Sequence, residues 1–260
     1  MKRKFFFFDI DGTLTDRNPG GNVLPSTIST IKKLQEQGHI VAIATGRDHI
    51  KALQFASKIN IQHIVADGGY SIVIDGTLKH CHPLNKQDCL KVIEECNQKD
   101  IGICIVSDFK EKWYSHNTRI YDQYETQPYF EVTVIKNLDY HQVENFYKVY
   151  VGVHPGQEKA INTLMQTKLP YVRYSPGHIE IEPDDKYQGI LDMLGYLGGN
   201  EEDVVVFGDG KNDIKMMSRA NISIAMGNAI DEVKNIATFV TKRNDDDGIE
   251  FACRHFKWID

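Results

Sequence analysis

The chain has 260 residues, a length that allows one large domain or a domain carrying an insert. Hydrophobic residues make up 41% of it and charged residues 25%, an ordinary balance for a protein with a sizeable core. Its formal net charge of -6 at pH 7 argues against a nucleic-acid backbone as the main partner. A small anionic ligand is not excluded, because a pocket can be locally positive inside an acidic protein.

The N-terminal residues are not expected to form a secretory signal. The apolar run Phe5–Phe8 stops at Asp9, well short of the roughly seven or more apolar residues that a signal peptide needs. The five cysteines include no Cys-x-x-Cys pair, so neither a disulfide framework nor a zinc site is expected. We therefore expect a cytoplasmic monomer or homodimer with reduced thiols and no membrane partner.

The first third of the chain alternates buried strands with amphipathic helices. Phe5–Phe8 has no polar alternation, which is typical of a strand that is covered on both faces of a parallel sheet. The predicted elements in chain order are a strand at 5–9, a helix opening at Pro25, a strand at 40–44, a helix at 48–58 and a strand at 64–66. This alternation predicts a Rossmann-like α/β core, a parallel sheet with helices on both faces.

The pattern changes after residue 67. A hairpin is predicted at 70–74 and 77–81, because Asp75-Gly76 is a strong hairpin turn. Residues 84–182 mix alternating strands with amphipathic helices at 88–100 and 142–147, and the strand–helix alternation then resumes from residue 187. We therefore predict an α/β core at 1–83 and 183–260, interrupted by an inserted α+β domain at 84–182.

Within the predicted insert, two groups of side chains have open roles. Alternation places His178, Glu180 and Glu182 on one face of a strand, where they either line a cleft or face solvent. A set of aromatic residues either forms the core of the insert or stacks on a ligand. The aromatic residues are Phe109, Trp113, Tyr114, Tyr121, Tyr124, Tyr129 and Phe130.

Polar and acidic residues follow several of the predicted core strands. Asp9 ends the first strand and Asp11 follows it, Thr45 and Gly46 follow the second strand, and Asp209 follows a later one at 204–207. Ligands bind at the carboxyl ends of strands in open parallel sheets, so we expect these residues to form one site. Two neighbouring carboxylates need a cation or a shared proton if they are not to repel each other.

Together these residues resemble four motifs of the haloacid dehalogenase superfamily of phosphotransferases, and the match spans almost the whole chain. The insert resembles the cap of its Cof-type, sugar-phosphatase-like branch. The motifs are Asp9-Ile10-Asp11-Gly12-Thr13, Thr45-Gly46-Arg47, Lys186, and Gly208-Asp209-Gly210-Lys211-Asn212-Asp213.

The resemblance implies a Mg²⁺-dependent phosphatase that acts on small phosphorylated metabolites, with sugar phosphates expected first. Asp9 would be the nucleophile that forms an aspartyl-phosphate, and Asp11 the general acid and then base. Mg²⁺ would be held by Asp9, the Asp11 backbone carbonyl and Asp209, with Asp213 in an outer position. The implied phosphate-binding residues are Ile10, Thr45, Gly46, Lys186 and Asn212.

Two alternatives remain open at the level of the sequence. A phosphomutase would use the same Asp9 and Asp11 but pass the phosphoryl group to another sugar hydroxyl. A non-catalytic binding or regulatory protein on this fold would not need an acid beside a nucleophile, and the complete set of acidic residues with Lys186 argues against it.

Overall fold

The computed structural model describes residues 2–17, 20–109, 112–124 and 130–260, apart from the side chain of Tyr174. The chain divides into two compact units, and each is described by itself. Unit 1 comprises Met1–Cys81 and Asp185–Asp260, and unit 2 comprises His82–Asp184.

The described residues contain fourteen strands and eight α-helices. The strands are β1 (Phe5–Phe8), β2 (Ile40–Ala44), β3 (His63–Ala66), β4 (Ser71–Ile74), β5 (Thr77–Cys81), β6 (Ile103–Val106), β7 (Trp113–Ser115), β8 (Val132–Val134), β9 (Lys148–Val151), β10 (Tyr171–Ser175), β11 (His178–Ile181), β12 (Val204–Gly208), β13 (Ile222–Ala225) and β14 (Phe239–Val240). The helices are α1 (Pro25–Glu36), α2 (His49–Ser57), α3 (Lys86–Gln98), α4 (Asn162–Thr167), α5 (Lys186–Leu197), α6 (Ile214–Arg219), α7 (Asp231–Ile236) and α8 (Gly248–His255).

Unit 1 is built on an eight-stranded sheet in the order β14-β13-β12-β1-β2-β3-β4-β5. The six strands from β14 to β3 run parallel, and the β4–β5 hairpin extends the sheet with antiparallel pairing. Helices α1, α2 and α8 contribute to the core on one face, and α5, α6 and α7 to the core on the other. The predicted α/β fold class is confirmed.

Strand β1 lies at the centre of this sheet, and all four of its phenylalanines are buried. Phe6 and Phe8 pack into the core on one face, whereas Phe5 and Phe7 pack into the core on the other. Burial of a phenylalanine side chain contributes about 1.5–3 kcal/mol. The unbroken apolar run is therefore explained by helices covering both faces of the strand.

Unit 2 is built on a six-stranded sheet in the order β10-β11-β9-β6-β7-β8. The helix predicted at 142–147 is wrong, because a short 3-10 turn at Tyr140–Gln142 is followed by extended chain. The Phe146 carbonyl accepts a hydrogen bond from the Leu84 N–H at 2.7 Å, and the Tyr147 N–H donates to the Val106 carbonyl at 2.8 Å. These distant partners satisfy the backbone, whereas six residues are too few for a stable helix on their own.

His178, Glu180 and Glu182, on or directly after β11, are buried inside unit 2, so the solvent-facing alternative is wrong. His178 is hydrogen-bonded to Tyr124 and lies 3.3 Å from Glu180, and Glu182 pairs with Lys148.

Most of the aromatic residues singled out in the insert pack together. The Trp113 ring stacks on Phe130 and on Tyr150, with ring centroids 3.9 and 3.7 Å apart. Phe109 is exposed, and Tyr129 lies outside the described residues.

All five cysteines carry free thiols. Among the described residues, no helix combines the length and the apolar composition that crossing a membrane requires.

Candidate active site

The site begins where two neighbouring parallel strands end. Strands β1 and β12 pair with Phe8 opposite Phe207, and the Asp9 N–H donates to the Phe207 carbonyl at 3.1 Å. Asp9 and Asp209 therefore leave the sheet side by side, and both are buried, with 4% and 6% exposure. The strand-end pattern in the sequence predicts this meeting of residues that are 200 positions apart.

The turn Ile10–Leu14 after β1 packs directly against Asp209. Gly12 has φ +84°, and a Cβ there would lie 2.3 Å from Asp209 Oδ2, so only glycine fits. Thr13 Oγ1 donates a hydrogen bond to Asp209 Oδ1 at 3.0 Å. The turn therefore fixes the orientation of the Asp209 carboxylate.

Asp213 and Lys186 complete the buried cluster. Asp213 Oδ2 accepts hydrogen bonds from the N–H groups of Asp209 and Gly210, at 2.9 and 3.0 Å. Lys186 is the first residue of α5, and its Nζ donates to Asp9 Oδ1 and to Asp213 Oδ1, both at 2.7 Å. Lys186 is therefore a direct bridge between the residues that follow β1 and those that follow β12.

Charges in the cluster oppose one another strongly. Burial is the main reason why the pKa of Asp9 is raised to about 8. The Asp213 carboxylate also raises this pKa, whereas the Lys186 ammonium lowers it. Burial alone would lower the pKa of Lys186, but the Asp213 and Asp9 carboxylates raise it above its ordinary value. Lys186 is therefore charged at neutral pH, whereas ionisation of Asp9 needs further positive charge.

The donor set suits a small divalent cation. One oxygen from each of Asp9, Asp209 and Asp213 lies within 4.8 Å of the others. Three carboxylates with a single ammonium leave two negative charges when all four groups are ionised, which a dication would balance. An all-oxygen set is typical of Mg²⁺ rather than of metals that prefer imidazole or thiolate ligands.

The Asp11 carboxylate has a different partner from the other acids. Arg47 holds it with two hydrogen bonds, from Nε to Oδ2 at 2.8 Å and from Nη2 to Oδ1 at 2.5 Å, and the Gly20 N–H donates to Oδ1 at 2.8 Å. Burial acts to raise the pKa of Asp11, but the hydrogen bonds from Arg47 and Gly20 bring it below its ordinary value. In this arrangement Asp11 is ionised.

The remaining predicted residues lie at the same edge of the sheet. Thr45 and Gly46 follow β2, the neighbour of β1, and Thr45 Oγ1 accepts a hydrogen bond from the Arg47 N–H at 3.1 Å. Asn212 is half-buried in the 3-10 turn Lys211–Asp213 after β12. Ile10 is fully buried at the start of the turn that follows Asp9.

Two contributors to the site had no predicted role. Arg47 belongs to the quoted motif, yet its pairing with Asp11 is visible only in three dimensions. Asn228 Nδ2 donates to the Gly12 carbonyl at 2.8 Å, and its Oδ1 accepts from the Asn244 N–H at 3.0 Å. Asn228 follows β13, so the strand-end rule, applied to every parallel strand, would have found it.

Comparison with known proteins agrees with this geometry. The family described as haloacid dehalogenase-like hydrolase matches residues 6–252. "Putative phosphatase YkrA" of Bacillus subtilis (strain 168) is 28% identical over 98% of both chains. Pyridoxal phosphate phosphatase YbhA of Escherichia coli (strain K12) is 27% identical over 98% of this chain and 99% of its own. The subclass IIB sugar phosphatase BT4131 superimposes with a TM-score of 0.78, at 24% identity over 98% of this chain and 100% of its own.

The chain belongs to the haloacid dehalogenase-like hydrolase family. The prediction of an enzyme of this superfamily, a phosphoric monoester hydrolase, is confirmed at that level.

Proposed function

We propose that this protein is a Mg²⁺-dependent phosphatase that hydrolyses small phosphorylated metabolites, sugar phosphates foremost, through an aspartyl-phosphate on Asp9. The observation that carries the proposal is the buried cluster in which Lys186 bridges Asp9 and Asp213 beside Asp209. Phosphoryl transfer needs an in-line nucleophile and positive charge around the phosphoryl oxygens, and this cluster supplies or attracts both.

The residues would divide the chemistry into two displacements. In the first, an Asp9 oxygen attacks phosphorus, the phosphorus–ester oxygen bond breaks, and Asp11 gives its proton to the departing alkoxide. In the second, Asp11 takes a proton from water as the water oxygen attacks phosphorus, which frees Asp9 and inorganic phosphate. When bound, Mg²⁺ would supply charge that favours ionised Asp9 and neutralises the phosphoryl group.

The acid role of Asp11 requires it to part from Arg47. An acid must carry a proton, whereas the ion pair with Arg47 keeps the Asp11 carboxylate ionised. A substrate phosphate is a competing bidentate partner for the Arg47 guanidinium. We therefore propose that phosphate binding to Arg47 releases Asp11, which takes up a proton from solvent and then donates it to the departing alkoxide.

Besides Arg47, four groups would hold the phosphoryl oxygens. The Lys186 ammonium lies against the nucleophile, and the Thr45 hydroxyl and Gly46 N–H follow the neighbouring strand β2. Asn212 would add an amide donor from the other side of β1. The preference for sugar phosphates rests on the resemblance of the insert to a sugar-phosphatase cap, an argument from analogy.

We also propose a cellular location and a class of partner for this protein. The five free thiols fit a reducing compartment, which supports the expected cytoplasmic location. Two of the relatives named above, the pyridoxal phosphate phosphatase and the sugar phosphatase, act by their names on phosphorylated small molecules, and such a molecule is the partner that we propose here.

A phosphate-release screen tests the proposal. The purified protein is incubated with sugar, nucleotide and cofactor phosphates, pyridoxal phosphate included, with Mg²⁺ or with a chelator, and Asp9→Asn serves as the blank. We expect Mg²⁺-dependent phosphate release, fastest with a sugar phosphate. Phosphate transfer between sugar hydroxyls that needs a bisphosphate activator, without net release, would identify a mutase. Absence of release from every compound would contradict the proposal.

A further inference from the structure

A buried carboxylate outside the proposed catalytic set lies at the end of β3. Asp67 is 7% exposed and has φ +49°, a left-handed conformation that is uncommon for residues other than glycine. Its Oδ2 accepts a hydrogen bond from Ser71 Oγ at 2.6 Å and from the His49 backbone N–H at 3.2 Å, and lies 3.2 Å from His49 Nδ1. Such a backbone conformation persists where the surroundings hold it in place.

The turn Asp67–Gly69 is bonded to the segment that carries Thr45 and Arg47. The Asp67 N–H donates to the Arg47 carbonyl at 2.9 Å, and the Gly68 N–H donates to the Thr45 carbonyl at 3.2 Å. Together with the bond from the His49 N–H to the Asp67 side chain, these make three hydrogen bonds between the turn and residues 45–49, which follow β2.

The same turn also holds the start of α5. The Asp185 N–H donates to the Gly68 carbonyl at 2.9 Å. A Cβ at Gly69 would lie 2.3 Å from the Asp185 carbonyl oxygen, so the two backbones are in close contact. The next residue is Lys186, which reaches Asp9.

We propose that Asp67 is a positioning residue, whose carboxylate locks the turn Asp67–Gly69 in the conformation that sets both the 45–47 segment and the start of α5 around the phosphoryl group. This inference rests on the proposed phosphatase function. It assigns to one buried side chain the relative placement of Arg47 and Lys186.

A metal site is the other use of these side chains. One donor atom from each of His49, Asp67 and Cys81 lies within 4.8 Å of the others, a set that suits a soft divalent cation. However, burial, together with the nearby Asp67 charge, raises the pKa of Cys81 to about 12, so the thiol is protonated. Asp67 Oδ2 is also engaged by Ser71 and His49, which favours a hydrogen-bonded anchor.

The test compares three variants of the full chain. Asp67→Ala removes the acceptor, and Asp67→Asn keeps an oxygen for the His49 N–H and Ser71. Asp75→Ala is the matched control, because Asp75 has φ 51° in the exposed β4–β5 hairpin turn, so alanine meets the same backbone strain there without the buried contacts. The readouts are kcat and KM with Mg²⁺, and amide hydrogen exchange of peptides covering residues 45–49 and 184–189.

We expect Asp67→Ala to lower kcat/KM by about 10- to 100-fold, the scale that a small misplacement of catalytic groups produces. Exchange should quicken in both peptides, Asp67→Asn should restore both readouts, and Asp75→Ala should match the wild type. Equal behaviour of Asp67→Ala and Asp75→Ala would overturn the proposal, as would a lower melting temperature with unchanged kcat/KM and exchange. One Zn²⁺ bound per chain and lost in Cys81→Ser would assign the side chains to a metal instead.

Failure of the phosphatase function is distinguishable from failure of this inference. A wild-type protein that releases no phosphate would reject the function, whereas the exchange measurement still reports whether Asp67 holds the two segments. Unchanged exchange in Asp67→Ala rejects the inference even in an active enzyme.

Discussion

The Asp9 carboxylate is the residue on which the proposed chemistry depends. We expect Asp9→Asn to lower kcat by at least about 10⁴-fold, because the amide cannot attack phosphorus. The fold should remain, since the Asn oxygen can still accept the hydrogen bond from Lys186. Steady-state phosphate release and circular dichroism measure the two effects, with Asp75→Asn as the control. Activity within tenfold of the wild type would refute the nucleophile assignment.

Substitution of Asp11 distinguishes the first displacement from the second. We expect Asp11→Asn to lower kcat by about 10²- to 10⁴-fold, because proton transfer is lost while the nucleophile stays intact. An ester with a good leaving group needs no acid, so a phosphoryl adduct on the chain should accumulate and be visible by intact mass after acid quench. Unchanged turnover without accumulation would remove Asp11 from the mechanism.

The sequence predicts acidic residues at strand ends far better than it predicts their partners. Asp9 and Asp209 are brought together by parallel neighbouring strands, which the alternating pattern already indicates. The bond from Arg47 to Asp11 depends on side-chain directions at two different strand ends, and no local pattern encodes those directions.

At the scale of elements, one helix of unit 2 depends on a side chain from another. Glu95 of α3 accepts hydrogen bonds from the Asn162 and Thr163 N–H groups at 2.9 and 2.7 Å, and from Lys99 Nζ at 2.6 Å. It therefore caps the N-terminus of α4, whose own N-cap residue Ile161 offers no side-chain acceptor. Burial acts to raise the pKa of Glu95, but the hydrogen bonds from Lys99, Thr163 and Asn162 lower it to about 2.

This cap has a predictable pH dependence. Because the folded-state pKa is depressed, the stability that Glu95 contributes is present above the ordinary value of 4.5 and is lost as pH falls toward about 2. We expect Glu95→Gln to lower the free energy of unfolding by about 1–3 kcal/mol near neutral pH, with the difference vanishing in acid. Urea unfolding at several pH values measures it.

The neighbouring exposed residue supplies the control for the cap. Glu94 is on the same helix and forms an exposed pairing with His141, so Glu94→Gln should change the free energy of unfolding by less than about 1 kcal/mol. An equal effect of the two substitutions would show that general charge, rather than the cap, is responsible.

The sequence alone could not predict α4, because the side chain that caps it is distant in sequence. Its cap comes from a residue 67 positions earlier, so the local sequence carries no start signal. Conversely, the predicted helix at 142–147 had suitable local spacing, but backbone bonds to Leu84 and Val106 outweighed it. Long strands and helices with their own signals were predicted well, whereas short elements depend on distant partners.

At the scale of the whole molecule, a cation bound at the acidic cluster should stabilise unit 1. We expect Mg²⁺ at about 100 times its dissociation constant to add about 2.7 kcal/mol, and to raise the melting temperature by about 5–10 °C. Asp209→Asn should abolish the shift, because it removes one of the three clustered carboxylates, whereas Asp75→Asn should retain it. An equal shift in Asp209→Asn would place the cation elsewhere.

Alkylation of the buried cysteines can report the stabilisation by Mg²⁺ in each unit separately. Cys253 is buried in unit 1, whereas Cys89, Cys96 and Cys104 are buried in unit 2, where burial raises the pKa of each thiol to about 12. If alkylation of Cys253 requires unit 1 to unfold, the same Mg²⁺ concentration should slow it by about 100-fold. Mass spectrometry of labelled peptides measures each site, and an unchanged Cys253 rate would contradict the prediction.

The sequence predicts the division into a core and an insert, because the pattern of strands and helices changes there, but it does not predict the order of the strands in the sheet. The return of strand–helix alternation after the insert indicates that one sheet is assembled from both ends of the chain. The order of the eight strands is not encoded locally, because each core strand is a similar apolar run whose neighbours are chosen by packing.

The placement of β1 has a consequence for biosynthesis. One of its two neighbours, β2, is translated soon after it, but the other, β12, emerges only once the whole of unit 2 has been made. Throughout that interval a strand of four phenylalanines leaves one row of backbone groups unpaired. A nascent chain in this state is a natural client for chaperones and a seed for aggregation when it is overproduced.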